Sequence, residues 1–270
     1  MMETSMTEQR IRDIFEQAGA IITDSHIVYT SGKHGSAYVN KDAVYPDTKV
    51  TSDLCRAIAE QFADDDVEVV IAPAIGGVIL SQWVAHHLSE ITGHKVFGVY
   101  AEYEESFIMD SDGKDILIPL PEGTFDRENE EGEITLHLGE KLVVKKPSFV
   151  IKRGYDKIVA NKNVLTVEDV LTTGGSAKKV IEVTRTLGGN IVGLGVLCNR
   201  GGITPKDLAN PLRLFSLVNV TLDAWNEADC PLCKQGIPFN TDVGKARQFA
   251  ERLKRENRFS KYTHMFPSLQ

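Results

Sequence analysis

The chain lacks most of what would mark a secreted, membrane or nucleic-acid-binding protein. Four cysteines occur in 270 residues, Cys55, Cys198, Cys230 and Cys233, too few for a disulfide framework. No apolar run approaches the ~18–20 residues of a membrane span. Met1 to Gln9 are polar, without the apolar core of a secretory signal. Positive charge is scarce: 30 Lys and Arg stand against 38 Asp and Glu, a formal net charge of −8. That balance argues against a nucleic-acid-binding face, which needs a basic surface, but leaves room for a local basic pocket. No internal repeat is visible. The expectation is a soluble cytoplasmic protein with neither nucleic acid nor membrane as partner. Hydrophobic residues make up 42%, enough for a sizeable core, and the length suits one large domain or one with additions.

Helix and strand signals alternate along the chain. Thr7 to Ala18 read as a helix, with Thr7 as cap, Ile11, Ile14 and Phe15 on one face and Gly19 as the stop. Ile27-Val28 and Tyr38-Val39-Asn40 read as short strands joined by the polar turn Ser31-Gly32-Lys33-His34-Gly35. Asp47 opens a helix carrying Leu54, Ile58, Ala59 and Phe62. Val67 to Ala72 form a nearly continuous apolar run, as a strand buried on both faces does. Pro73-Ala74-Ile75-Gly76-Gly77, a helix to Leu88 and a strand from Lys95 to Ala101 follow. This order predicts an α/β fold with a parallel sheet flanked by helices.

Residues 102–148 break the rhythm. They are rich in Glu and Asp, punctuated by Gly113, Gly123, Gly132 and Gly139, and carry short β-forming pieces. They predict an inserted β-hairpin region rather than disorder. Strand signals resume at Phe149-Val150-Ile151, before Lys152-Arg153-Gly154-Tyr155. Later strands are expected over Ile191 to Cys198 and Leu212 to Val220. Leu222 to Pro238 look irregular, and Asp242 to Asn257 helical.

The densest chemical signal is Val164-Leu165-Thr166-Val167-Glu168-Asp169-Val170-Leu171-Thr172-Thr173-Gly174-Gly175-Ser176. An apolar strand, Val164 to Val167, runs into two acids; a hydroxyl- and glycine-rich turn follows; a helix from Ala177 to Leu187 begins. A turn at the carboxyl end of a strand, opening a helix, is where α/β sheets bind ligands and where free N–H groups await an anion. Glycines let backbone approach a phosphate, and Thr172, Thr173 and Ser176 add donors. The paired acids would repel that phosphate. They suit the hydroxyls of an attached sugar, or a metal.

These residues resemble the signature by which type I phosphoribosyltransferases bind PRPP, 5-phosphoribosyl 1-pyrophosphate. Three further stretches resemble the orotate phosphoribosyltransferases within that family: Ser31 to Asn40 as the N-terminal hood over the base, Ala72 to Gly77 as the pyrophosphate loop, and Asn199-Arg200-Gly201 as the site of the arginine that meets the orotate carboxylate. The resemblance covers roughly residues 10–100 and 149–220. It implies a single phosphoribosyltransferase domain with a hood at about 20–45, the insertion at about 102–148 and a C-terminal extension at about 221–270. It implies transfer of phosphoribosyl from PRPP to orotate, giving orotidine 5′-monophosphate and pyrophosphate. Lys33, Ile75, Gly76 and the run Glu168, Asp169, Val170, Leu171, Thr172, Thr173, Gly174, Gly175 and Ser176 would bind PRPP. Tyr38, Val39, Thr172 and Arg200 would bind orotate, and Lys152, Arg153 and Asp169 would serve catalysis. Mg²⁺ would arrive with PRPP rather than in a metal site of the protein, and the relatives are homodimers.

The chain departs from the family pattern at three places. Thr30 stands where a Lys usually precedes the Ser-Gly turn. Gly76 stands where a Lys is frequent. The segment Lys152 to Lys157 lies only about fifteen residues before Glu168, too near for the usual long closing loop. Other readings are a transferase for a purine base, which would need no carboxylate partner, and a PRPP-binding regulator, which usually carries a DNA-binding extension or lacks the acids. Cys230-Pro231-Leu232-Cys233 is open between incidental thiols, half of a zinc site completed by Cys198 or His264, and a redox pair.

Overall fold

The computed structural model describes residues 8–29, 31–104, 108–109, 115–116, 143–144, 148–211, 213–220 and 222–267. Helix α1 (Glu8–Gln17) leads into four two-residue strands, β1 (Ile21–Ile22), β2 (Ile27–Val28), β3 (His34–Gly35) and β4 (Tyr38–Val39). The pairs β2 with β3 and β1 with β4 are antiparallel, one nested inside the other, and form the hood. The chain continues through α2 (Thr48–Gln61), β5 (Val69–Pro73), α3 (Val78–Thr92) and β6 (Phe97–Glu104). Then come β7 (Ile108–Met109), β8 (Asp115–Ile116), β9 (Val143–Val144), β10 (Ser148–Val150), α4 (Tyr155–Val159) and β11 (Asn163–Leu171). It closes with α5 (Gly175–Thr186), β12 (Asn190–Asn199), β13 (Leu214–Asn219), α6 (Pro231–Lys234) and α7 (Ala246–Arg255).

Six strands form the central sheet in the order β10-β6-β5-β11-β12-β13. Five run parallel, and β10 pairs antiparallel with β6 at one edge. All five residues of β5 are buried, because helices cover both faces of a parallel sheet. On one face, α1, α2 and α3 pack Phe15, Leu54, Ile58, Leu80 and Leu88 against Leu165 and Val167. On the other, α4 and α5 pack Val159, Val180 and Ile181 against Val69, Ile71 and Val164. The start of α2 follows from its sequence: the Asp47 carboxylate accepts from the Lys49 and Val50 amides, each at 3.0 Å, capping two first-turn donors.

The expected mixture of parallel sheet, flanking helices and hood is present, with differences in detail. The strand read as Val164 to Val167 runs on to Leu171. Its ladder with β12 continues to Leu171↔Asn199, so Glu168 and Asp169 are strand residues, not loop acids. Of the inserted segment, β8, β7 and β9 form a small antiparallel sheet, and most of the rest lies outside the described residues, as do Thr7 and Thr30. The C-terminal extension folds back on the hood. Val28 shares a third apolar cluster with Phe239, Phe249, Leu253 and Phe266, and short α6 falls in the stretch read as irregular.

Candidate active site

Strands β5 and β11 are parallel neighbours, but their successors lie on opposite sides: β6 beyond β5, β12 beyond β11. The loops leaving them diverge above the sheet, and a crevice opens between. Ala74 to Gly77 leave β5 for α3. Thr172 to Gly174 leave β11 for α5.

The second loop turns sharply because Gly174 takes φ +74°, a left-handed conformation that glycine adopts without penalty. It sits at the helix N-cap and supplies no side-chain cap. The Gly175 amide reaches Thr173 Oγ1 at 3.4 Å. The first turn of α5 therefore offers N–H groups and the positive end of its dipole to an anion. Val170 and Leu171, expected among the PRPP contacts, pack into the two faces of the core. Leu171 instead braces the site through its carbonyl, which accepts from the Arg200 amide at 3.0 Å and the Gly201 amide at 3.1 Å.

The two acids are buried, each 7% exposed. The Asp169 Oδ1 accepts from the Val170 amide at 2.6 Å, and its Oδ2 is ion-paired with the Lys41 ammonium. Gly76 from the other loop lies against that pair: a Cβ there would meet Asp169 Oδ2 and Lys41 Nζ. Tyr45 completes the junction by donating its hydroxyl to the Gly76 carbonyl at 2.9 Å. Burial works to lower the Lys41 pKa, but the Asp169 charge and hydrogen bond outweigh it, and the net shift is upward. Burial first, then the Asp169 charge, pushes the Glu168 carboxyl well above its ordinary value.

A cleft of about 830 Å³ opens beside these loops, lined by Tyr29, Ser31 and Lys33 of the hood, Thr172 and Thr173 of the phosphate-type turn, and Arg200, Gly201 and Gly202 after β12. The Arg200 Nε donates to Thr172 Oγ1 at 2.9 Å. Its guanidinium lies 5.4 Å from the Tyr29 ring centre and 5.9 Å from that of Tyr38, a cation among aromatic faces. Such a fork suits a planar carboxylate on a flat ring.

Several expected residues thus converge: Lys33, Thr172, Thr173 and Arg200 line one cleft, with Tyr38 at its aromatic wall, while Gly76 and Asp169 meet beside it. Glu168 lies near the end of β11, the exposed Ile75 in the turn after β5, and the exposed Gly175 and Ser176 in the first turn of α5. Val39 does not converge. Its side chain is 4% exposed and packs in the core, because alternation along β4 turns it away from Tyr38. Lys152 and Arg153 stand apart beside the edge strand. Lys152 pairs with Glu104 at 2.8 Å, and Arg153 pairs with Glu102; neither lines the cleft.

Sequence reasoning missed Lys41, Tyr45 and Tyr29. Lys41 follows directly on the Tyr38-Val39-Asn40 strand. A cation at the exit of the hood was the available signal.

Comparison with known proteins follows the same line. A family model described as a phosphoribosyl transferase domain matches residues 139–233. The orotate phosphoribosyltransferase of Pelotomaculum thermopropionicum is 35% identical over 233 residues, 86% of this chain and 95% of that one. That of Desulforamulus reducens is 33% identical over 234 residues, again 86% of this chain and 95% of the relative. Among solved structures, orotate phosphoribosyltransferase from Aeropyrum pernix is similar at a TM-score of 0.47 and 21% identity, covering 77% of this chain and 93% of that chain.

Proposed function

The chain belongs to the orotate phosphoribosyltransferase family, and on that premise we propose that it transfers the phosphoribosyl group of PRPP to orotate, giving orotidine 5′-monophosphate and pyrophosphate. The observation that carries the choice of base is the Arg200 guanidinium, hydrogen-bonded to Thr172 at 2.9 Å and set among Tyr29 and Tyr38. A purine lacks a carboxylate and would leave this cation unused.

In the reaction the ribose C1–O bond to pyrophosphate breaks, and its electron pair leaves on pyrophosphate. A ring nitrogen of orotate forms the new bond to C1 and gives up its proton. The protein's part is positioning and electrostatic stabilisation. In this reading the α5 N-terminus with Thr173 and Ser176 holds the 5′-phosphate, and Glu168 and Asp169 accept from the ribose hydroxyls. Gly76 gives the pyrophosphate a bare backbone to lie against. Lys41, beside Gly76, offsets the Asp169 charge and faces the leaving group, in place of Lys152 and Arg153, which pair with Glu104 and Glu102. Mg²⁺ would neutralise the pyrophosphate. It fits as a companion of the substrate, since it binds through one or two carboxylates plus phosphates and keeps its waters, and one of the two site carboxylates is already paired.

We also read the protein as a homodimer. Ile75 is 88% exposed, Tyr103 54% and Ile79 40%, all at the carboxyl ends of neighbouring β5 and β6 or just beyond. A second copy covering them would account for such apolar exposure. Light scattering of the purified chain tests this, and a monomer would refute it. Among the described residues no helix is long and apolar enough to cross a membrane; a cytoplasmic setting suits the charged, water-soluble substrates.

The deciding assay mixes purified protein, PRPP and Mg²⁺ with orotate or with adenine. Consumption of orotate alone is expected. Use of adenine with orotate ignored would overturn the reading.

A further inference from the structure

Two residues of the hood and two of the C-terminal extension meet in one buried cluster. His26 and His34 belong to the inner hood hairpin, His26 just before β2 and His34 opening β3. Cys230 caps α6 and Cys233 lies within it. His26 is 1% exposed, and His34 and Cys230 are fully buried. One nitrogen or sulfur from each of the four falls within 4.8 Å of the other three.

The distances have the size of the edges of a coordination tetrahedron. A tetrahedral edge is about 1.6 times the bond length, so zinc bonds of about 2.0–2.1 Å to nitrogen and 2.3 Å to sulfur give edges of about 3.3–3.4 Å between nitrogens and about 3.5–3.6 Å from nitrogen to sulfur. His26 Nε2 lies 3.4 Å from His34 Nδ1. The nitrogen–sulfur separations are 3.2 Å for His34 with Cys233, 3.5 Å for His26 with Cys230 and 3.7 Å for His26 with Cys233. Hydrogen bonding alone accounts poorly for this. Three groups converge on His26 Nε2, which has a single lone pair. That nitrogen is bare, because His26 Nδ1 lies 2.7 Å from the Ile237 carbonyl, which can only accept, so the proton sits on Nδ1. A ring held by a carbonyl on its far side is how a metal-ligating histidine is oriented. The Cys233 amide also donates to Cys230 Sγ at 3.5 Å, as a coordinated thiolate would invite.

We propose that His26, His34, Cys230 and Cys233 form a structural zinc site that pins the C-terminal extension to the hood. Two sulfurs and two imidazoles in tetrahedral disposition select zinc, and four protein ligands leave no open position for chemistry. Of the three readings left open for the cysteine pair this is the metal site, but not with the partners considered there: Cys198 is a buried core residue of β12, and His264 lies by Gly236. The site has a clear mechanical purpose. The apolar cluster joining hood and extension is small, and small cores commonly need a metal or a disulfide. The hairpin gripped at His26 and His34 carries Tyr29, Ser31 and Lys33 into the cleft, so the metal would set the position of that wall. The inference stands on geometry alone and does not depend on which base the enzyme uses.

The test is metal analysis of the untagged full-length chain purified without chelator. One zinc per chain is expected, lost to background in the Cys230→Ser/Cys233→Ser variant and retained in Cys55→Ala. Because the double variant could fail to fold, the wild-type protein is also exchanged with Co²⁺, where the intense visible bands of tetrahedral cobalt with thiolate ligands are expected. Zinc-free wild-type protein that gives no such spectrum, zinc retained by the double variant, or a Cys230–Cys233 disulfide found by mass would each overturn the proposal.

Discussion

The Arg200 Nε donates to Thr172 Oγ1 at 2.9 Å, which ties the end of β12 to the turn that opens α5. This bond joins the cation proposed to meet the base to the loop proposed to hold the phosphate. Truncating Arg200 to Ala should cut kcat/KM for orotate about 10²-fold, from the ~2–3 kcal/mol of one charged hydrogen-bonded pair. PRPP affinity should change little, since Thr173 and the α5 amides remain. Steady-state kinetics with orotate and titration calorimetry with PRPP separate the two. Equal losses in both would move Arg200 to the pyrophosphate side.

Asp169→Asn should have two effects. PRPP affinity should fall roughly 10- to 100-fold, as expected for a charge-assisted hydrogen bond of about 1.5–3 kcal/mol. Stability should fall too, because the half-buried Lys41 loses its counter-charge. Had the acid been the loop residue that the sequence suggested, the second effect would be absent. Calorimetry with PRPP and thermal melting measure the pair; unchanged PRPP affinity would remove Asp169 from the ribose site.

What could be read in advance divides by distance along the chain. The strand, acids, turn and helix from Val164 to Ser176 are contiguous, and each residue type has a local reason to be there. Arg200 can be placed beside that turn because it directly follows the next strand of a regular β-α-β rhythm. Lys41 is harder to single out, since its partner Asp169 is 128 residues away and its place at the exit of the hood is a weak local signal. The same holds for His26 and His34 with the cysteine pair, which sit some two hundred residues apart and meet only because the extension returns to the hood. The extent of β11 is hard to read from sequence because acids seldom lie in buried strands; here they do so near a carboxyl end.

Glu168 predicts a pH signature. Burial and the neighbouring Asp169 raise its pKa well above the ordinary value. The unfolded chain releases this proton near pH ~4.3, whereas the folded chain keeps it to higher pH. Stability from this group is therefore present at low pH and lost as pH rises through the folded value. Glu168→Gln has no proton to lose. The melting temperature of the variant should exceed that of wild type by a margin that widens from about pH 4 upward and then levels off, while turnover falls. A margin that stays flat with pH would show that Glu168 ionises freely in the fold.

Gly174→Val tests the phosphate turn. The position has φ +74°, where a β-branched residue is strongly disfavoured, and an added Cβ would lie 2.5 Å from Leu208 Cδ2. The Leu208 methyl can shift, so the steric cost is modest; the backbone conformation cannot be kept. Flattening the turn would swing the Gly175 and Ser176 amides off the anion position at the head of α5. Phosphate and PRPP binding should be lost, with a melting temperature lowered by only a few degrees, because the sheet and both helical layers are untouched. Gly175→Ala is the contrast. Its Cβ would meet only Thr173 Oγ1, at an ordinary 3.6 Å, and its φ is not left-handed, so it should keep most of the PRPP affinity. A Gly174→Val protein that binds PRPP as wild type does would mean that the phosphate sits elsewhere.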